Sequence, residues 1–230
     1  MQTGSENPAI AQERLFDFAT MAASDRAKLL LATVIPRPIA WIVSMNLNGQ
    51  LNAAPFSFFN AFAVDPPIVG IGIGSHGPGL PHGPKRPKDT RRSIRDTGQF
   101  VINLVSEEMA RAMSITAIEF GPQVSELSEA GVETVPSVYV SPPRIAGCPV
   151  AMECELMQIV NLGTDTGLVL GRVLAMHIRE DAILDPGRHY IDAAKMKLIG
   201  RMHGSWYTRT ADTFQMSRIA REDWKAYLSG

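Results

Sequence analysis

Apolar and polar residues alternate with a period of two along several short stretches of the chain, and turn residues bound most of them. Residues 38–45 and 53–62 flank a turn containing Asn48-Gly49, which predicts a hairpin. Further strands are expected over 68–73, 100–105, 150–162 and 168–178, with 163–167 closing a second hairpin. Helical periodicity is confined to 88–96, 107–118 and 125–130, the last stopped by Gly131. Strands outnumber helices and show no regular alternation with them. The pattern therefore predicts a mainly β protein, a Greek-key-like antiparallel barrel with peripheral helices, rather than a doubly wound sheet. Within Ala151-Met-Glu-Cys-Glu-Leu-Met157, alternation sends Met152, Cys154 and Leu156 to one face and Glu153 and Glu155 to the other, making Cys154 a core residue.

Composition narrows the function classes. The 22 basic and 23 acidic residues among 230 nearly cancel, so no overall field recruits nucleic acid or an anionic membrane. Apolar stretches such as 167–176 are interrupted and fall short of the roughly 20 residues that span a bilayer. The N-terminal region carries Glu6, Glu13 and Asp17 in place of a basic-then-apolar leader, and a cytoplasmic protein is expected. Cys148 and Cys154 are not spaced as a CxxC pair. Histidines 76, 82, 177, 189 and 203 form no metal-ligand pattern, and neither a nucleophile triad nor paired carboxylates are evident.

Two motifs remain. Gly72-Ile-Gly-Ser-His-Gly77 matches a dinucleotide fingerprint, but that fingerprint needs a helix opening at its glycines, and Pro78, Pro81, Pro84 and Pro87 exclude one. Residues 75–87, with four prolines and three glycines, read as an irregular loop, either a flap or a variable insertion. Residues 85–95 hold six basic side chains and one acidic one. There Asp89 or Thr90 can cap a helix whose free N–H groups and positive end suit a phosphate, with Lys88 beside it; a solvated basic helix face is the alternative.

Arg37-Pro-Ile-Ala-Trp-Ile-Val-Ser44, Asn52-Ala-Ala-Pro-Phe-Ser-Phe-Phe-Asn60, Asp65-Pro-Pro67, Lys88-Asp-Thr90, Phe100-Val-Ile-Asn-Leu104, Ser141-Pro-Pro-Arg144 and Gly200-Arg-Met-His-Gly-Ser-Trp-Tyr207 occur in one order. Together they resemble the flavin reductase-like, FMN-binding split-barrel family that includes flavoredoxin. The resemblance implies a split-barrel domain over 31–210, an N-terminal extension over 1–30 and a tail or dimer arm over 211–230. It implies that Ala54, Pro55, Phe56, Ser57 and Phe58 lie along the flavin, that Lys88, Asp89 and Thr90 hold its phosphate with Gly72 and Ser75 nearby, and that Arg37 and Trp41 stand near the pocket. Trp41 is equally readable as a barrel-core aromatic.

Arg201, His203 and Tyr207 are candidates for seating the reductant, or else they cap and pack a C-terminal strand. The implied activity is NAD(P)H-dependent flavin reduction, with NADH or NADPH as co-substrate, the nicotinamide C4 held over flavin N5 and the protein supplying orientation and electrostatics. An electron carrier without efficient nicotinamide oxidation and a non-catalytic barrel are the alternatives. A homodimer is expected, with a monooxygenase or another redox protein as the implied partner. Met216, Ile219, Trp224 and Tyr227 are spaced for one helical face, as an arm across the partner or a tail on its own barrel.

Overall fold

The computed structural model describes residues 13–75, 88–121, 124–163 and 165–224. The elements in order are α1 (Ala23–Thr33), β1 (Ala40–Met45), β2 (Leu51–Phe56), β3 (Phe59–Val64), β4 (Pro67–Ile73), α2 (Asp89–Thr97), β5 (Gln99–Leu104), α3 (Ala110–Ile115) and α4 (Glu126–Glu129). Two short strands, β6 (Thr134–Val135) and β7 (Arg144–Ile145), precede the long β8 (Val150–Leu162) and β9 (Thr166–Ile178). The chain ends in β10 (Ile183–Asp185), β11 (Tyr190–Ile191), β12 (Ile199–Arg201) and β13 (Tyr207–Arg209). No helix among the described residues is long and apolar enough to cross a membrane.

Seven strands form one antiparallel sheet in the order β2-β1-β5-β8-β9-β4-β3. Its two edge strands, β2 and β3, are consecutive in sequence and separated only by Ser57 and Phe58. Two residues reach no more than about 10 Å, so the sheet must curl until its edges meet there. The Gly72 N–H donates to the Phe58 carbonyl at 2.7 Å across that seam. The fold is therefore a split β-barrel, as expected, but the hairpin strand anticipated over 53–62 is two strands. A stretch rich in apolar residues, interrupted only by Ser57 and Asn60, conceals the change of partner from β1 to β4.

The barrel interior holds Ala40, Ile42, Phe100, Ile102, Met152, Cys154, Ile71 and Val169. Ile42, Ile102 and Met152 lie side by side in register across three strands. Burying each such side chain contributes about 1.5–3 kcal/mol. Fully buried Ile94 carries α2 onto this core, and Gly98, at φ 72°, ends the helix with its N–H on the Ile94 carbonyl.

The opposite face of β1 and β5 packs on α3, α4 and β7 through Trp41, Val43, Val105, Met113, Leu127 and Ile145. Buried Asn103 ties that layer together, donating to the Trp41 carbonyl and accepting from the Ile145 N–H. Cys154 is a core residue, and burial pushes both its thiol and that of Cys148 upward, the latter to about 12.

Three expectations need correction. Glu153 stands on the face opposite Met152 and Cys154, as alternation places it, but that face is not solvated there: the residue is fully buried because residues 138–140 fold over its carboxylate. Helix α1 was not anticipated; it buries none of its residues, so its apolar positions show no clear stripe. The tail over 210–223 forms no α-helix, and Phe214, Met216 and Ile219 are exposed, since a helical face without a packing partner has little to stabilise it. Tyr227 lies outside the described residues, as do residues 76–87, including His76 and His82.

Candidate functional site

The seam at Ser57 and Phe58 opens onto a cavity of about 340 Å³, within the range of small-molecule sites. Pro55, Phe56 and Ser57 form one wall, Arg37 and Ile39 the base, and Arg201, Met202 and Tyr207 the facing wall. The remaining side comes from Met113, Ser114 and Ala117 on and just beyond α3 and from Leu31 of α1, none of which the sequence motifs mark. Met113 and Ala117 stand four residues apart, the helical spacing that places two side chains on one face.

Arg37 organises this region. It is only 5% exposed, and its guanidinium donates to the carbonyls of Leu31 (2.9 Å), Val34 (2.6 Å) and Met202 (2.8 Å), with Nε directed at Ser57 Oγ (3.4 Å). One planar fork thus ties the end of α1 and the turn after β12 to the seam. Burial, and then the charge of Arg201, lowers its pKa. The backbones of Arg37 and Arg201 exchange two hydrogen bonds, at 3.0 and 2.8 Å. The Arg201 guanidinium stacks 4.6 Å from the Tyr207 ring centroid and donates to the Tyr207 hydroxyl and the Gly204 carbonyl.

On the far side of Phe56 stands the start of α2. Lys88 is its N-cap, with Nζ 5.8 Å from the Phe56 ring centroid. The hydroxyl of buried Thr90 accepts from Asn52 Nδ2 at 2.8 Å, fastening the helix to β2. What Thr90 offers an anion is therefore its backbone N–H, one of the free donors of the first turn. Asp89 is engaged by Arg92.

Ala54 is half-buried and packs on the barrel core, while Phe58 is 52% exposed. A side chain at Gly72 would place its Cβ 3.0 Å from the Phe58 Cβ, so glycine lets the two strands approach closely at the seam. Ser75 donates to the Asp165 carbonyl at 2.9 Å, joining the end of β4 to the β8–β9 hairpin.

The structure thus brings Arg37, Pro55, Phe56, Ser57, Arg201 and Tyr207 to one cavity, with Lys88 beside Phe56. Ala54, Phe58, Gly72, Ser75, Asp89 and Thr90 lie on neighbouring elements without lining it, and Trp41 and His203 stand apart from it. Trp41 is fully buried on the other face of β1, its indole N–H donating to Thr116 Oγ1 at 2.9 Å, so it is a core aromatic and not a cavity wall. His203 is exposed on the turn after β12 and does not line the cavity; its backbone carbonyl accepts from Trp206.

These residues suit a flavin. Pro55, Phe56, Ile39 and Met202 offer apolar lining to a planar ring, Arg37 and Arg201 supply positive charge, and the α2 start suits an anion beyond Phe56.

Comparison with known proteins points the same way. Residues 31–194 match the flavin reductase like domain. An uncharacterized protein of Deinococcus radiodurans is 38% identical over 215 residues, covering 91% of this chain and 92% of that one. The 2-nitrobenzoate 2-nitroreductase NbaA of Pseudomonas fluorescens superposes with a TM-score of 0.81 at 31% identity, over 90% of this chain and 98% of its own. Nitrilotriacetate monooxygenase component B of Bacillus cereus does so with a TM-score of 0.81 at 28% identity, over 89% and 99%. A split barrel with a cationic, apolar-walled cavity at its seam, matched over most of its length by these proteins, belongs to the flavin reductase-like family of flavin-related oxidoreductases.

Proposed function

We propose that the protein binds FMN at the seam and is an NAD(P)H-dependent flavin reductase working as a homodimer. The observation that carries this reading is the convergence of Arg37, Ser57, Arg201 and Tyr207 on the cavity beside Phe56, with the free N–H groups of α2 and Lys88 beyond it. Bound FMN supplies the hydride-accepting chemistry. The chain's part is to hold it. Pro55 and Phe56 support the ring, main-chain groups of residues 54–58 meet its polar edge, Lys88 and the α2 start take the phosphate, and the Arg201–Tyr207 pair seats the reductant. Arg37 fixes the two walls relative to each other and adds positive charge where reduction places negative charge.

The likeness to a monooxygenase component B supports delivery of reduced flavin to a separate oxygenase. The likeness to a nitroreductase supports a second reading, in which electrons pass directly to a nitroarene. An absorbance spectrum of the purified protein and anaerobic titration with NADH and NADPH test the proposal. Flavin bands that one nicotinamide bleaches rapidly are the expected result. A colourless protein that fails to retain added FMN overturns it, and slow bleaching by both nicotinamides at saturation assigns an electron carrier instead. Anaerobic turnover with 2-nitrobenzoate separates the two acceptor readings.

A further inference from the structure

Beyond the seam, α2 carries three arginines, Arg91, Arg92 and Arg95, that the proposed reaction leaves unused. Lys88, Arg91, Arg92 and Arg95 recur at intervals of three and four residues, so they share one side of the helix. Arg91, Arg92 and Arg95, with Leu156, Ile159 and Asn161 of β8, wall an open cavity of about 380 Å³. Arg92 and Arg95 are each paired at the surface, with Asp89 and Asp96. Arg91 is different: among the described residues its recorded hydrogen bond is a long one of 3.4 Å to the Ile73 carbonyl.

Arg91 lies close against Gly167, where a side chain would crowd it. A Cβ on Gly167 would lie 3.0 Å from Arg91 Nη1, 3.1 Å from its Cδ and 3.1 Å from Ile159 Cγ2. Glycine at the start of β9 therefore lets the arginine lie across the hairpin mouth and leaves the cavity open. A solvated helix face needs no such accommodation. Leu156 and Ile159, both packed on the barrel core, form an apolar floor, with guanidinium groups at the rim and one carboxamide beside them. That is the complement of an aromatic base carrying a phosphate.

We propose that this cavity is an adenylate subsite, taking the phosphorylated adenosine of a dinucleotide whose other half lies in the seam cavity. This rests on the flavin reading above. Lys88 to Arg91 spans about 4.5 Å along the helix, so a pyrophosphate beginning at Lys88 reaches Arg91, and the adenosine beyond it runs toward Arg95 without leaving the cationic side. Phosphate oxygens meet the guanidinium groups, the base lies on Leu156 and Ile159, and Asn161 meets its edge. Two ligands carry this half: FAD, in direct continuation of the flavin phosphate, and the nicotinamide dinucleotide.

The test uses the flavin-free full-length protein, titrated calorimetrically with ADP, FMN and FAD, and the FMN-loaded protein assayed with NADH and NADPH. Arg95→Glu reverses one exposed rim charge two turns from Lys88, and Arg91→Met keeps the aliphatic stem over Gly167 while removing its charge. Both should unfold within a few degrees of the unaltered protein. The expected result is ADP binding weakened about tenfold or more by each.

If the occupant is FAD, its Kd rises by a similar factor in Arg95→Glu while that of FMN changes less than about twofold. If it is the reductant, both flavin affinities hold and the nicotinamide KM rises instead. Unchanged ADP and FAD affinities and unchanged KM in Arg95→Glu overturn the subsite, as does FMN binding weakened as much as FAD. ADP binding that needs Arg95 in a protein unable to retain FMN leaves the subsite standing and removes the flavin reading; FMN retention without ADP binding does the reverse.

Discussion

Glu153 is a carboxylate with no exposure, yet it is not a stray charge. It accepts from the N–H groups of Val138 (2.9 Å), Tyr139 (2.6 Å) and Val140 (3.3 Å) and sits 2.6 Å from His177 Nε2. Burial alone raises its pKa; the N–H donors of Val138 and Tyr139, with His177, outweigh it and hold the carboxyl below the usual range. A group depressed on folding adds stability above its unfolded pKa, and that stability is lost as pH falls through the folded value. The melting temperature should therefore drop on acidification below about pH 4. Glu153→Gln, which strands donors built for an anion, should cost about 1–3 kcal/mol near neutrality and flatten the acid limb of the stability curve. Thermal melts from pH 3 to 7 on both proteins check this. Arg37 allows a second substitution. Lysine keeps the charge but cannot span three carbonyls and Ser57, so Arg37→Lys should lower stability by about 2 kcal/mol and weaken FMN binding together, measured by denaturant titration and by flavin fluorescence.

At the scale of elements, the strands were legible because alternation and turn chemistry agree. Gly49, at φ 79°, closes β1 onto β2 as Asn48-Gly49 suggests, and Ser125 caps α4, which Gly131 follows. The failures have physical reasons. The division between β2 and β3 lies inside one stretch rich in apolar residues, and only pairing distinguishes the two strands, β2 on β1 and β3 on β4. The burial of Glu153 was hidden because alternation gives a residue's face and not what covers it, and the cover comes from residues 138–140, outside the strand. Cross-strand glycines show how pairing acts on packing. A Cβ at Gly171 would stand 2.4 Å from Phe100 Cζ, deep in the barrel, where the ring cannot withdraw. A Cβ at Gly70 would stand 2.5 Å from Phe62 Cε2, but that ring is 62% exposed and free to swing away. Gly171→Ala should destabilise by about 1–3 kcal/mol and Gly70→Ala by less than about 1, a contrast that paired denaturant melts resolve.

For the whole molecule, the site was legible as a set of motifs but not as a shape. Residues 54–58 and Lys88 were marked by the family pattern, whereas the α3 wall and the carbonyl-binding role of Arg37 depend on contacts between elements distant in sequence. The proposed homodimer has a surface to match. Phe62 lies over Gly70 beside Leu170 on the outer side of β3, β4 and β9, and Val64 (93% exposed) continues β3 as an apolar edge. Apolar area of this kind on an edge strand is an association surface unless something covers it. The exposed apolar side chains of the tail are consistent with an arm laid on a second copy. Because residues 56–58 lead directly into β3, a partner packed on β3 also stiffens the seam. Phe62→Asp places a charge on that surface without touching the cavity lining. It should convert a species of twice the 25.0 kDa chain mass into one of single mass in light scattering, and FMN should be lost in parallel. If the variant keeps the double mass, this face is not the interface; if it becomes monomeric yet holds FMN unchanged, the seam completes its site within one chain.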